Sequence, residues 1–493
     1  MNATRESIYD WVTRIDRRTL AILIGLTLGM VGGGLALLMT TIGPLFTTAG
    51  VLGLLIGAYI LTDIRAALYG IVAIMALLPF GTLPFSIGFT PTLIDMMIGA
   101  FLLIYLLQWM TGQRKAFRIT PIHIPLALYI LWILAAFALG LRYAEPTTQI
   151  IRQFAELMLT FLLVYVLVDL LRDPQTLRRL VLVVIICVGT QALIAVILWA
   201  LPNGTAERIL RAMARIGYPE SNIIRFIEQN PALSERAIGT WVDPNTLGGT
   251  LAITAAMIAP QVFARRPVLR YRWLTLGVLG VVGLALLLTF SRTSMLAFGV
   301  SLGVIAVMRY RRFIPLMMGA ALLILLLPQT QGYVERFVDA FQGADLATQM
   351  RLGEYNDSLE LIREYPVFGI GFTGSPRIDV YSSVANLYLL IANQIGLVGL
   401  ALYAITMLGV LIYGLKAWRY AKNDDALESI HLGYHAAVVA ALVNGIGDFY
   451  YFRLDYQGSI LLFWLTVSLA LASSRLALEQ GAKVKIFSIH DNS

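Results

Sequence analysis

Apolar stretches recur along the chain, many of them near the roughly 20 residues that an α-helix needs to cross a bilayer. About fourteen can be marked, near 19–40, 44–62, 66–83, 92–110, 123–141, 154–171, 179–201, 244–264, 273–291, 294–308, 313–328, 385–415, 431–447 and 456–474. They are continuously apolar rather than alternating, which excludes a membrane β-barrel. The pattern predicts an all-α, polytopic transmembrane bundle of about fourteen spans with two long, partly helical outer loops, 202–243 and 329–384. Two helices are expected inside those loops. In Glu207–Ile216, the residues Ile209, Leu210, Met213 and Ile216 share one face, which suits a helix lying in the membrane interface. Leu352, Tyr355, Leu359 and Ile362 share a face of a second helix, ended by Pro366, with Gly369 and Gly371 as a flexible turn.

Composition agrees with a bilayer solvent. Of 493 residues, 58% are hydrophobic and 13% charged, where a soluble domain carries about 25% charged residues. A net charge of +8 would suggest nucleic acid in a soluble protein; here basic cytoplasmic loops are the simpler source, and no nucleic-acid partner is expected. With the N-terminus inside, those loops are 113–118, 172–179, 265–272, 309–312 and 416–422, and Lys115, Lys416, Lys422, Lys483 and Lys485 all fall inside with the C-terminal tail. The polar stretch from Arg5 to Arg18 leads into an apolar run too long for a cleaved signal core. One cysteine, Cys187, excludes a disulfide framework within the chain.

The outer loops hold arginine and no lysine: Arg208, Arg211, Arg215, Arg225 and Arg236 in the first, and Arg336, Arg351, Arg363 and Arg377 in the second, with Arg292 at the outer end of the ninth span. A guanidinium fork matches pairs of phosphate oxygens, so the cluster suggests an anionic substrate such as a lipid pyrophosphate. The bland reading is anchorage to lipid headgroups. His431 and His435 stand four apart on one helix face without an evident third ligand, so packing outweighs a metal site there. No phosphate-binding loop, dinucleotide fingerprint or metal-ligand spacing is visible, and no cofactor is expected.

Three local sequences stand out. Glu235-Arg236-Ala237-Ile238-Gly239-Thr240-Trp241-Val242-Asp243-Pro244-Asn245 enters the eighth span. Ser291-Arg292-Thr293-Ser294 occupies a helix-to-helix turn. The third runs from Arg351 through Pro366-Val367-Phe368-Gly369-Ile370-Gly371 to Asn386 and on to Gly396-Leu397-Val398-Gly399. At these residues, over roughly 236–410, the chain resembles the O-antigen ligase-related family of ligases and polysaccharide polymerases. The resemblance implies a glycan transferase, a metal-independent glycosyltransferase of ligase or polymerase type. Its donor would be a polyprenyl pyrophosphate-linked glycan, and its acceptor a glycan or glycolipid at the outer face of the cytoplasmic membrane. It divides the chain into N-terminal helices with the first loop (1–235), a ligase-like core (236–410), and C-terminal helices with a cytoplasmic tail (411–493).

One position departs from the family pattern. Where the pattern has a histidine before Asn386, this chain has Ala385. Under this reading Arg236, Arg292 and Arg351 stabilise the leaving pyrophosphate, and Arg211, Arg215, Asn245, Asn386 and Glu354 bind substrate. Any base is a carboxylate, with Asp243, Glu354, Asp357 and Asp379 as candidates. A transporter or flippase of lipid-linked glycans, and a non-catalytic relative, are the rival readings.

Overall fold

In the computed structural model, residues 17–41, 59, 63–83, 88–326, 331–342, 346–376 and 383–490 are described. The expected span 44–62, apart from Tyr59, lies outside them, as do Arg377 and Asp379. The chain divides into two units, Met1–Ala66 and Ala67–Ser493. The first contains α1 (Arg17–Thr41). The second is almost wholly helical. It runs from α2 (Ile64–Leu77, begun in the first unit) through α3 (Leu93–Met110), α4 (His123–Gly140), α5 (Thr148–Leu170), α6 (Pro174–Ala200) and α7 (Asn203–Ala212). A two-stranded ribbon, β1 (Arg225–Phe226) with antiparallel β2 (Glu235–Arg236), precedes α8 (Pro244–Ile258) and α9 (Arg272–Leu288). Then follow α10 (Arg292–Met308), α11 (Ile314–Leu326), α12 (Gln331–Gln342), α13 (Leu346–Glu364), α14 (Leu387–Ala421), α15 (Glu428–Asn444) and α16 (Gln457–His490).

Each expected span that falls among the described residues carries a helix. Among the described residues, six helices are long and apolar enough to cross a membrane: α3, α4, α5, α6, α14 and α16 up to Ala482. Helices α2, α9 and α10 are apolar but shorter. The core is built around α16, whose apolar stretch is buried throughout, with α5 and α14 against it; α15 packs on α8 and α10. Outward faces keep Leu, Ile and Met exposed, among them Leu106, Leu131 and Leu408. A bilayer-facing surface has that character, because lipid does not penalise apolar exposure.

The second long loop is less loose than its sequence suggests. At Gly396 helix α14 breaks, with φ 73° and ψ 175°. A break inside an apolar helix strands backbone groups that lipid cannot satisfy. The segment after α13 satisfies them: Ile370 N–H donates to Asn393 O (2.8 Å), Gly371 N–H to Gln394 O (2.9 Å), and Leu397 N–H to Pro366 O (2.7 Å). Trp132 of α4 donates its indole N–H to Ile395 O at 2.8 Å and stacks on Phe368 at 4.5 Å. A Cβ on Gly396 would lie 1.9 Å from Val367 O, and one on Gly369 2.4 Å from Asn393 O. Gly369 and Gly371 therefore serve close backbone docking at positive φ (66° and 78°), not a flexible turn.

Helix α13 is also set by this joint. Ser358, fully buried, donates to Asn393 Oδ1 of the broken helix at 2.9 Å. The buried side of α13 thus carries Ser358, Leu361 and Ile362, while Leu352 and Leu359 are exposed. The expected apolar stripe is displaced because a buried hydrogen bond fixes the rotation of the helix. In α7 the buried residues are Ala206 and Leu210, packed with Leu198, Ile223 and Ile238, and Ile209 is exposed.

Candidate functional site

The starts of α8, α10 and α14, the end of α13's first two turns, and the loop between α15 and α16 meet at one end of the bundle. Asp243 caps α8: its Oδ1 accepts from Asn245 N–H and Thr246 N–H, both at 2.9 Å, and Pro244 occupies the first helical position. That combination is a strong helix start. It presents Asn245 towards Arg236, whose Nη2 donates to Asn245 Oδ1 at 2.5 Å and whose Nε donates to Thr289 O at 2.7 Å. The guanidinium is thereby held in a fixed orientation.

Two residues beside this arginine adopt left-handed backbone conformations, Val242 (φ 63°) before the Asp243 cap and Phe290 (φ 51°) before Ser291. A β-branched residue at positive φ is an outlier that costs on the order of 1–3 kcal/mol, and such strain gathers at functional sites. The anchor on one side is Trp241, fully buried and donating its Nε1–H to Ala76 O at 3.1 Å.

Behind the arginine runs a buried polar chain. Ser291 Oγ and Ser294 Oγ lie 2.8 Å apart; Asn444 Nδ2 donates to Ser294 Oγ (3.0 Å) and to Asp448 Oδ2 (3.2 Å). Tyr451 donates its hydroxyl to Asn444 Oδ1 at 2.9 Å, which fixes the amide's orientation. Gly248 admits the approach, since a Cβ there would meet Ser291 Cβ and Ser294 Oγ at 2.9 Å.

Asp448 is the centre of this arrangement. It is 2% exposed. Burial pushes its carboxyl from the ordinary 3.8 up to about 7, the guanidinium groups of Arg351 and Arg236 and the Asn444 hydrogen bond pull it down, and the charge of Asp243 adds to the rise. A carboxylate poised near neutrality beside fixed cations has the properties of a general base next to an anion site.

Of the sequence-predicted residues, Arg236, Asn245 and Arg351 converge here. Arg292 is the first residue of α10 and half-buried, directly after the Ser291 cap. Asn386 caps α14, accepting from Tyr388 N–H (2.9 Å) and Leu389 N–H (3.1 Å), and its amide donates to Ile446 O (2.8 Å) in the loop that carries Asp448. Glu354, one turn after Arg351, accepts from Ala385 N–H at 2.9 Å. A carboxylate therefore rests on the backbone of the one position that departs from the family pattern. Arg211 lies on the exposed face of α7, paired with Glu207 at 2.7 Å, and Arg215 is exposed just beyond it; both belong to the rim. His431 and His435 are buried, and all four ring nitrogens are within hydrogen-bonding distance of Ser473, Gly414 O, His431 O or Ser474. A packing role accounts for them.

Asp448 is the residue that sequence reasoning missed. It follows an apolar run by a few residues and has no motif. The available signal was its surroundings, a short stretch from Gly445 to Tyr456 crowded with aromatic and ionisable side chains between two apolar runs.

Residues 277–404 match the family model described as O-Antigen ligase. No curated protein matches the chain. The match supports an O-antigen ligase-related family and, in general terms, glycan processing by a multi-pass membrane protein. It contains Arg292, Arg351, Glu354, Asn386 and the break in α14 at Gly396; Arg236 and Asp448 lie on either side of it.

Proposed function

We propose, from that match as premise, that the protein is a membrane glycosyltransferase that moves a glycan from a polyprenyl pyrophosphate donor to a sugar hydroxyl at the outer face of the cytoplasmic membrane. In this reading both termini are cytoplasmic, about fourteen crossings connect the basic loops inside to the arginine-rich loops outside, and the product is a ligated or lengthened glycan.

The observation that carries the reading is Asp448, buried and near-neutral in pKa, facing Arg351 and Arg236. The acceptor oxygen attacks the anomeric carbon, its proton passes to Asp448, and the bond to the pyrophosphate oxygen breaks with its electron pair left on the phosphate. Arg236, Arg292 and Arg351 stabilise the charge that grows there. Preorganised donors of this kind contribute roughly 10²–10³ in rate each. Arg236 is preoriented by Thr289 and Asn245, which is the condition for that effect. Glu354 seats α13 on the start of α14 and so sets the position of Arg351.

The test uses protein in lipid vesicles with a polyprenyl pyrophosphate-linked oligosaccharide, products being resolved on a gel. Transfer with release of polyprenyl pyrophosphate, reduced at least a hundredfold in Arg236→Ala with folding intact, is the expected result. A ladder of longer glycans identifies a polymerase, and transfer only on addition of an acceptor identifies a ligase. Glycan crossing the vesicle wall without a new glycosidic bond refutes the transferase.

A further inference from the structure

Far along α10, α14 and α15 from the charged cluster, an apolar cavity of about 210 Å³ opens between Val304 and Met308, Leu411 and Trp418, and Leu432 and Val439. The histidines in its wall, His431 and His435, have their ring nitrogens turned into the hydrogen bonds already described, so the lining offers a ligand hydrocarbon alone. Leu415 lines the same cavity and is 57% exposed, so the cavity reaches the lateral surface of the bundle. Met308 is shared with a second, open hollow of about 440 Å³ completed by Arg309, Tyr310, Arg311 and Arg312. The apolar and basic spaces thus adjoin at Met308.

Among the described residues, Arg311 and Arg312 of the basic part have no acidic partner. Arg309 pairs with Glu428 at 2.5 Å, and Asp425 pairs with Arg265 at 3.2 Å. Arg311 and Arg312 are exposed; Arg311 Nε donates to Val307 O at 2.9 Å, and Arg312 lies over the Phe313 ring at 5.2 Å. Both arginines stand in the turn that follows α10 and line the open hollow beside the cavity.

We propose that this two-part cleft binds one anionic phospholipid of the surrounding bilayer, its phosphate on Arg311 and Arg312 and one acyl chain in the cavity. A free phosphate leaves the cavity unfilled, and a zwitterionic lipid brings its own ammonium to compete with the arginines for its phosphate; an anionic phospholipid matches both halves. The site is separate from the transferase reading and stands without it.

The experiment places the full chain in phosphatidylcholine nanodiscs, titrates in dioleoylphosphatidylglycerol, and counts retained lipid by native mass spectrometry after transfer to detergent. Wild type is expected to retain one phosphatidylglycerol in preference to phosphatidylcholine. Each arginine removed weakens retention about fivefold, equivalent to about 1 kcal/mol for a basic residue at an anionic surface, so R311Q/R312Q loses about 30-fold. Val304→Phe, which fills the cavity, weakens retention of dioleoylphosphatidylglycerol and leaves short-chain dihexanoylphosphatidylglycerol unaffected. Equal retention of the two headgroups, or unchanged retention in R311Q/R312Q, overturns the proposal. Both arginines are exposed, so the charge variant decides the matter even where Val304→Phe fails to fold.

Discussion

Replacing Asp448 by asparagine keeps the side chain's shape and its contact with Asn444 while removing its charge, and the two effects of that change have opposite signs. In the unfolded chain the carboxyl titrates near 3.8; in the fold it titrates near 7. Between those values the native protein holds a proton that the unfolded chain has lost, so stability falls as pH rises through that window and stays lower above it. At about 1.4 kcal/mol per pH unit, keeping Asp448 ionised at pH 8 costs the fold on the order of 4 kcal/mol. Asp448→Asn escapes this cost. Its thermal unfolding in detergent is expected above wild type at pH 8, with the difference gone by about pH 4. Transfer moves the other way: loss of a general base lowers the rate by about 10²–10⁴. Wild-type transfer should fall tenfold per pH unit below about 7, and that acid limb should vanish from the variant's residual activity. A variant that is more stable yet inactive is the signature of a charge retained for chemistry. Transfer within threefold of wild type, or identical stability–pH curves, would refute the reasoning.

Three further outcomes follow from the geometry. Gly396→Ala places a methyl 1.9 Å from Val367 O at positive φ and should destabilise by more than about 3 kcal/mol, seen as a lowered melting point in detergent. Glu354→Gln retains an acceptor for Ala385 N–H and should keep transfer within about threefold, whereas Glu354→Ala should lower it about tenfold through misplacement of Arg351, as kcat measurements will tell. Asp169 is fully buried and receives Tyr105 OH (2.9 Å), Arg118 N–H (2.9 Å), Arg114 Nη1 (3.3 Å) and Arg172 Nη2 (2.6 Å). Asp169→Ala should cost about 3–5 kcal/mol and expose the 111–120 loop to limited proteolysis.

The helices were legible because each span must satisfy its own backbone, which makes hydropathy a direct readout. Arg236 and Arg351 were legible as candidates because a guanidinium fork matches phosphate oxygens and the outer loops carry arginine without lysine. Three things were not. The break in α14 is marked only by Asn393-Gln394 and the glycines Gly396 and Gly399, inside a stretch, 385–415, that is otherwise apolar and reads as one span. The rotation of α13 depends on Ser358 meeting Asn393, a partner in another helix. Asp448 gains its surroundings from Arg236 and Arg351, distant in sequence, and from a burial that its glycine-rich approach, Gly445-Ile446-Gly447, does not advertise. Conversely Arg211 and Arg215 read like cluster members and are exposed, because α7 turns Ala206 and Leu210 inward.

The joint at Gly396 has a consequence for how the protein is made. Trp132, Pro366, Ile370 and Gly371, the partners of the interrupted backbone among the described residues, all precede it in the chain. A ribosome threading the protein into a bilayer has therefore already delivered them when α14 emerges. The helix can be interrupted at the moment of insertion without its carbonyls meeting lipid alone, because the segment that satisfies them is laid down before the gap it fills.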